Sequence, residues 1–244
     1  MDDLLELTRQ AEARHFWFRG FRRFVAPILY EVAAGRTDLR LIDCGCGVGQ
    51  NLALLERYGR AAGFDLAESG TSAARAGGRD MVRADLNSIP FRSNVFDIAT
   101  SFDVLQCVQT DTAAVQEMAR VVRPGGAVVL TVAAFDFLRG DHAEVWEEFR
   151  RYTPSTVRRL VESAGLQVER VDFMFASIFP LMVAVRVMQR LTRPVRGLQR
   201  DTDITVPAAP VNSVLTWLLR VEAALSRRLP MPIGSSLLVV ARKP

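Results

Sequence analysis

The sequence predicts an α/β fold in which a parallel sheet carries helices on both faces. Three observations carry that prediction. Strand-like and helix-like segments alternate from residue 38 to residue 133. Residues 127–133 are apolar apart from Thr131, the pattern of a strand buried on both faces. The apolar strand Leu41-Ile42-Asp43-Cys44 runs into a glycine-rich turn, Gly45-Cys46-Gly47-Val48-Gly49, and a helix follows.

The elements follow in order. Residues 38–44 are the first strand and 49–58 the first helix. A second strand covers 60–65, and a helix over 68–76 stops at Gly77-Gly78. Strands at 80–84 and 96–101 come next. The helix over 111–122 takes Asp111 as its cap and turns Ala114, Val115, Met118 and Val122 inward. Arg123-Pro124-Gly125-Gly126 is a turn into the buried strand at 127–133. Thr153-Pro154-Ser155-Thr156 starts a helix with proline in its first turn, and Gly165 ends it. Strands at 166–175 and 237–242 complete the set. Residues 176–230 lie between them: an apolar run over 178–191 that Pro180 breaks, a proline-containing loop over 201–210, and an amphipathic helix over 212–229. This segment reads as an inserted lid or dimerisation element within one domain, not as a second domain.

A chain of 244 residues, 49% of them apolar, suffices for one substantial domain. No stretch reaches the roughly 18–20 uncharged apolar residues that span a bilayer. The acidic opening Met1-Asp2-Asp3-Leu4-Leu5-Glu6 lacks the parts of a secretion signal, so a cytoplasmic location is expected. Cys44, Cys46 and Cys107 are expected to be reduced thiols. With two histidines and no second cysteine pair, no metal is expected at Cys44-x-Cys46. The net charge is +4, and Lys243 is the single lysine. Arginines cluster at 14, 19, 22 and 23 and again at 186, 190, 193, 196 and 200. A solvated basic surface explains them better than a nucleic-acid interface does.

The Asp-x-Gly-x-Gly-x-Gly turn (43–49), Gly63-Phe64-Asp65, Ala84-Asp85-Leu86 and Arg123-Pro124-Gly125-Gly126 stand in the order and spacing of one family. In these residues the chain resembles the class I S-adenosylmethionine (SAM)-dependent methyltransferases. The NAD-binding fingerprint fits less well, because Gln50 stands where its third glycine belongs. The resemblance implies a Rossmann-like sheet of seven strands, mostly parallel with the last antiparallel. It implies a helical lid over 1–37, a core over 38–175, a helical insertion over 176–230, and a last core strand within 231–244. The cofactor would be SAM, with S-adenosylhomocysteine as its product. SAM has no pyrophosphate. It needs a bare turn for close approach, a carboxylate for its ribose diol, and acceptors around its ammonium.

On that reading Gly45, Cys46, Gly47 and Asn51 form the turn and the helix start. Asp65, with Leu66 beside it, accepts the ribose hydroxyls. Asp85, with Leu86, accepts the adenine amine, and Asp43 faces the ammonium. By similarity Ser101, Phe102, Asp103 and Gln106 line the methionine tail. The opening His15-Phe16-Trp17-Phe18-Arg19-Gly20-Phe21-Arg22 is similar to one in bacterial members found with sugar- and lipid-modifying enzymes. The resemblance implies that Arg19 or Arg22 pairs with the tail carboxylate and that Trp17 faces the acceptor. A general base is needed only for an acceptor that keeps its proton near neutral pH. His142, beside Asp141 in a loop after the fifth strand, and His15 are the candidates, and Arg151 and Tyr152 face the acceptor. The Asn/Asp-Pro-Pro-aromatic run of nucleic-acid amine methylases is replaced here by Ser101-Phe102-Asp103-Val104. The expected acceptor is therefore a small molecule, whether a secondary metabolite, a sugar or a lipid-linked compound; the alternatives are an RNA or protein methyltransferase that uses the basic surface, or a SAM-binding partner subunit without catalysis. The insertion is expected to pack on the core or on a twin subunit, as a homodimer. The alternative is a basic amphipathic segment lying peripherally on an anionic membrane.

Overall fold

A computed structural model of the chain describes residues 11–68, 70–72, 78–196 and 205–244. Its centre is a seven-stranded sheet in the order β3-β2-β1-β4-β5-β7-β6. The strands are β1 (Leu39–Cys44), β2 (Gly59–Asp65), β3 (Met81–Arg83), β4 (Phe96–Phe102), β5 (Val122–Ala133), β6 (Gln167–Met174) and β7 (Ser236–Arg242). β7 runs antiparallel to β5 and β6, and the other neighbours pair parallel. The Rossmann-like architecture expected from the sequence is therefore present.

Alternation along each strand divides the core in two. Ile42 and Cys44 join one buried cluster, and Leu39 and Leu41 the other. The first cluster is closed by α3 (Asp111–Val121) and α5 (Pro154–Ser163), through residues such as Val115, Met118, Val157 and Val161. The second is closed by α1 (Phe16–Ala33), the short α2 (Leu52–Leu55) and α7 (Ala209–Leu225). α1 and α7 touch closely at Gly20, where a Cβ would come within 2.4 Å of Leu219. Two further helices, α4 (Asp141–Val145) and α6 (Phe179–Arg196), flank the loop after β5. The chain end is tied down as well: Lys243 Nζ donates to Asn94 Oδ1 and Ala119 O at 2.8 Å and to Val122 O at 2.9 Å.

The structure corrects four local expectations. Arg123-Pro124-Gly125-Gly126 does not separate helix from strand but lies inside β5. Its pairing with β4 slips between Phe96 and Ile98, so these residues bulge from the ladder. Gly125 has φ +76°, and a Cβ on Gly126 would lie 2.7 Å from Asp97 O. Asp111 is not the cap of α3. Thr110 holds that position, and Asp111 instead accepts from Tyr152 Oη at 2.9 Å and pairs with Arg150 at 3.2 Å. Pro180 does not break its helix. It sits in the first turn of α6, where an amide has no intrahelical partner to lose. The last large helix begins at Ala209 and ends at Leu225, earlier at both ends than 212–229. The helix expected over 68–76 falls largely on residues outside the described set.

Candidate active site

The chain leaves β1, builds β2 and β3 on one side, then crosses back to place β4 on the other. Strand order reverses there, and in open α/β sheets ligands bind outside the carboxyl ends of the strands at such a point. Asp43 stands at this place, in register with Gly63 of β2 and Thr100 of β4. Its side chain is buried, and Thr100 Oγ1 donates to Oδ1 at 2.7 Å. Its second oxygen has no partner. Burial pushes this carboxyl up to about 7. Asp65 adds to the rise and the Thr100 hydrogen bond opposes it.

The glycine turn lies against the end of β2. Gly45 has φ +79°, and a Cβ there would meet Val104 at 2.6 Å, so no other residue fits. The amides of Gly45 and Cys46 both donate to Phe64 O, at 2.9 and 3.0 Å. Asp65 is fastened to the turn: Gly47 N donates to Oδ2 at 2.8 Å and Ala67 N to Oδ1 at 2.9 Å. The Cys46 thiol points inward and donates to Phe64 O at 3.2 Å. Asn51 is half-buried before α2, Leu66 is exposed, and Leu86 is buried in the core. Asp85 is exposed and folds a local turn, its Oδ1 accepting Asn87 N at 2.8 Å and Asn87 Nδ2 at 3.3 Å.

Past β4 the chain turns sharply. Ser101 is fully buried and donates to Cys44 O at 2.9 Å, so its side chain braces β4 against β1. Phe102 meets Phe21 of α1 edge-on, with ring centroids 5.3 Å apart. Asp103 adopts φ +57°, and its amide donates to Thr131 O at 2.9 Å. Its Oδ1 is buried without a partner, and burial, reinforced by Glu148, pushes the carboxyl up to about 6. Gln106 is buried, and its Oε1 likewise lacks a donor. Asp43 Oδ2, Asp103 Oδ1 and Gln106 Oε1 thus put three unpaired buried acceptors on the β1–β4 edge. Native proteins rarely leave such groups unsatisfied, so the edge fits a ligand that brings several N–H or O–H donors. The ammonium, ribose hydroxyls and adenine amine of SAM are donors of that kind.

The remaining sequence candidates separate into inward and outward groups. His15 is buried and caps α1, its Nδ1 accepting Trp17 N at 3.1 Å. Trp17 stacks on Phe175 at 3.9 Å, and Arg19 is exposed. His142 lies on α4, half-buried, with its ring 6.0 Å from that of Trp146. Arg151 and Tyr152 turn inward. Arg151 pairs with buried Glu148 at 2.9 Å, and Tyr152 is held by Asp111 and Leu105 O. Sequence reasoning missed Thr100, Asn87 and Glu12. Asn87 Oδ1 is a further buried unpaired acceptor, and its spacing two residues after Asp85 is an Asx-turn signal. Glu12 Oε2 is also unpaired, and burial pushes Glu12 up to about 7 against the opposing charges of Arg22 and Arg79. Arg79 in turn donates to Gly49 O at 2.6 Å, which connects residue 12 to the glycine turn. No motif marks Glu12.

Residues 42–130 match the family model described as "Methyltransferase domain". An uncharacterised 37.1 kDa protein of transposon TN4556 from Streptomyces fradiae is 27% identical over 213 residues, covering 80% of this chain and 61% of that protein. The ubiquinone/menaquinone biosynthesis C-methyltransferase of Roseobacter denitrificans is 31% identical over 170 residues, covering 65% of this chain and 66% of that protein. The chain thus spans less than two thirds of the length of either relative. Among solved structures, a chain in the Haloferax volcanii complex of the Trm112 methyltransferase activator superposes with TM-score 0.62 at 21% identity. That match covers 100% of this chain and 95% of the other, and it shows a shared fold. With the strand order, the glycine turn and the acceptor-rich edge in view, residues 42–130 form a methyltransferase domain of the class I SAM-dependent kind, with SAM as its cofactor.

Proposed function

We propose that the protein transfers the methyl group of SAM to a small, largely apolar acceptor bound at the carboxyl end of β5. One observation carries the acceptor class. Phe135, just after β5, forms a cluster with Phe137, Phe173 and Phe179, at centroid distances of 5.3, 5.7 and 6.3 Å. Phe137 is about half exposed, so the cluster opens outward on the same sheet edge as Asp43 and Asp103. An apolar wall with few polar groups suits a greasy substrate. The quinone-pathway relative supports the same class. A sugar or another secondary metabolite would need polar partners on that wall.

When bound, SAM supplies a methyl carbon already activated by its sulfonium. The chain's own work is to bind, align and exclude water. Asp65 would hold the ribose diol and Asp85 the adenine amine, with Leu66 and Leu86 on either side of the ring. Asp43, Asp103 and Gln106 would accept from the ammonium, Ser101 and Phe102 would contribute backbone, and Arg19 would meet the tail carboxylate. Gly45, Cys46, Gly47 and Asn51 would let the nucleoside lie close. α1, held on the β4 edge by the Phe21–Phe102 contact, would act as the lid, with Trp17 on its acceptor side. Where the acceptor is a hydroxyl, His142 would take its proton. His15 is the weaker base, because its Nδ1 already serves as the cap.

The test is methyl transfer from labelled SAM to a panel of prenylated phenols, acyl thioesters, free sugars and transfer RNA. Turnover on the apolar members is expected, and turnover on RNA alone would overturn the reading. With a hydroxyl acceptor, His142→Ala should slow turnover by about a hundredfold while leaving SAM affinity unchanged. An unchanged rate would remove His142 from the chemistry.

A further inference from the structure

The insertion helices are built the wrong way round for water. On α6 the buried side is polar: Arg186 is 4% exposed and Gln189 8%. Arg186 Nε donates to Leu138 O at 3.1 Å and Nη1 to Gln189 Oε1 at 2.8 Å. This packing needs Gly140, where a Cβ would lie 2.3 Å from Gln189 Oε1. Arg190 donates to Phe137 O, and Arg193 pairs with Glu144. The outward side of α6 carries Leu181, Met188 and Leu191, the last two 63% and 76% exposed. At helical spacing these three share one face, opposite Arg186. α7 buries Leu215 and Leu219 against α1 but is apolar on its far side too, with Val214, Trp217 and Val221 exposed. Apolar residues on an outward helix face call for cover.

We propose that these two outward faces dock on an anionic lipid surface. The surrounding charge decides among occupants. On α6, Arg186, Arg190 and Arg193 turn back to Leu138 O, Phe137 O and Glu144, so the outward positive charge comes from α7. Arg220, Arg227 and Arg228 are exposed at α7 and just beyond it. Among the described residues of 179–233 the only carboxylate is Glu222. It is buried and accepts Ala176 N at 2.7 Å and Ser177 N at 2.8 Å. Arg220, Arg227 and Arg228 thus set positive charge beside the apolar face of α7, which complements anionic headgroups over an apolar layer. A second copy would set arginine against arginine. Exposed Trp217 matches the amphipathic ring that favours the headgroup level. No helix among the described residues is long and apolar enough to cross a membrane, so the contact is interfacial.

The experiment is co-sedimentation of the whole protein with vesicles of phosphatidylcholine alone and with roughly one third phosphatidylglycerol. Binding is expected to the anionic vesicles only, and to weaken as salt rises. The double variants Met188→Asp/Leu191→Asp and Trp217→Asp/Val221→Asp should each weaken it about tenfold or more. S-adenosylhomocysteine affinity, measured in parallel, should stay unchanged and so report an intact fold. Three results would overturn the proposal: no association with anionic vesicles, association untouched by both double variants, or a wild-type dimer that both variants dissociate. Vesicle binding by an enzyme that methylates only soluble acceptors would overturn the acceptor class and leave the docking surface standing.

Discussion

The β1–β4 edge and the α6–α7 region bury polar groups in opposite senses. At the edge, acidic and amide side chains are buried, and some of their oxygens lack a partner: Asp43 Oδ2, Asp103 Oδ1 and Gln106 Oε1. On α6 the buried polar groups bond to one another and to backbone, and the apolar residues face out. Each region leaves one kind of surface incomplete. The first lacks hydrogen-bond donors, and the second lacks apolar cover. A small donor-rich molecule completes the first, and only an extended apolar body completes the second.

The widest contrast should appear in stability. Arg186→Leu would take one donor from Gln189 Oε1 and one of two from Leu138 O, which keeps Arg151 Nη1 at 3.2 Å, at about 1–3 kcal/mol in all. Chemical denaturation checks this, and a loss under about 1 kcal/mol would mean that the buried arginine is dispensable. Next in size, Asp65→Ala should cut SAM affinity about a hundredfold, because it removes a charged acceptor and frees the Gly47 amide. Calorimetry measures it, with circular dichroism showing the fold unchanged, and a retained affinity would place the nucleoside elsewhere.

The third test sharpens the edge through pH. The folded carboxyl of Asp43 is raised to about 7 from an ordinary 3.8. An ammonium ligand favours the ionised form, so S-adenosylhomocysteine should bind about tenfold more tightly at pH 8 than at pH 6, levelling above that. Because the folded chain holds an extra proton between the two values, ligand-free stability should fall as pH climbs through that window. Asp43→Asn should reduce both slopes, with Glu12 and Asp103 carrying the remaining fall in stability, and a flat wild-type binding profile would detach Asp43 from the ammonium. The smallest effect belongs to the opposite face. Met188→Asp should alter stability in water by no more than about 0.5 kcal/mol, since the side chain has nothing to lose there. A large loss in the same denaturation series would show that the outward face is packed in solution.

The two regions also differ in how plainly the amino-acid sequence declares them. Strand order and the glycine turn are legible because both are local and repetitive. Buried strands read as apolar runs, and a positive φ calls for glycine. Asp43 and Asp65 are legible because they flank that turn. Thr100 is not, since its role depends on lying across the β1–β4 ladder from Asp43. Glu12 is invisible for the same reason: Arg79, which joins it to the turn, is distant in sequence. Arg151 and Tyr152 follow β5 and so suggest the acceptor side, yet their partners Glu148 and Asp111 draw them into the core. On α6 the arginines sit at helical spacing as the sequence shows, but periodicity identifies two faces without saying which one looks at water. Tertiary contacts with the 136–140 loop decide that.

Lys243 has one more consequence. The only lysine in the chain is held by three oxygens at the last turn of the sheet. Amine-reactive reagents should therefore modify that side chain only when the tail of β7 peels away, so its labelling rate becomes a clock for the fraying of a single strand. The same knot makes random amine coupling a poor way to immobilise the protein, while the many exposed arginines are invisible to such reagents.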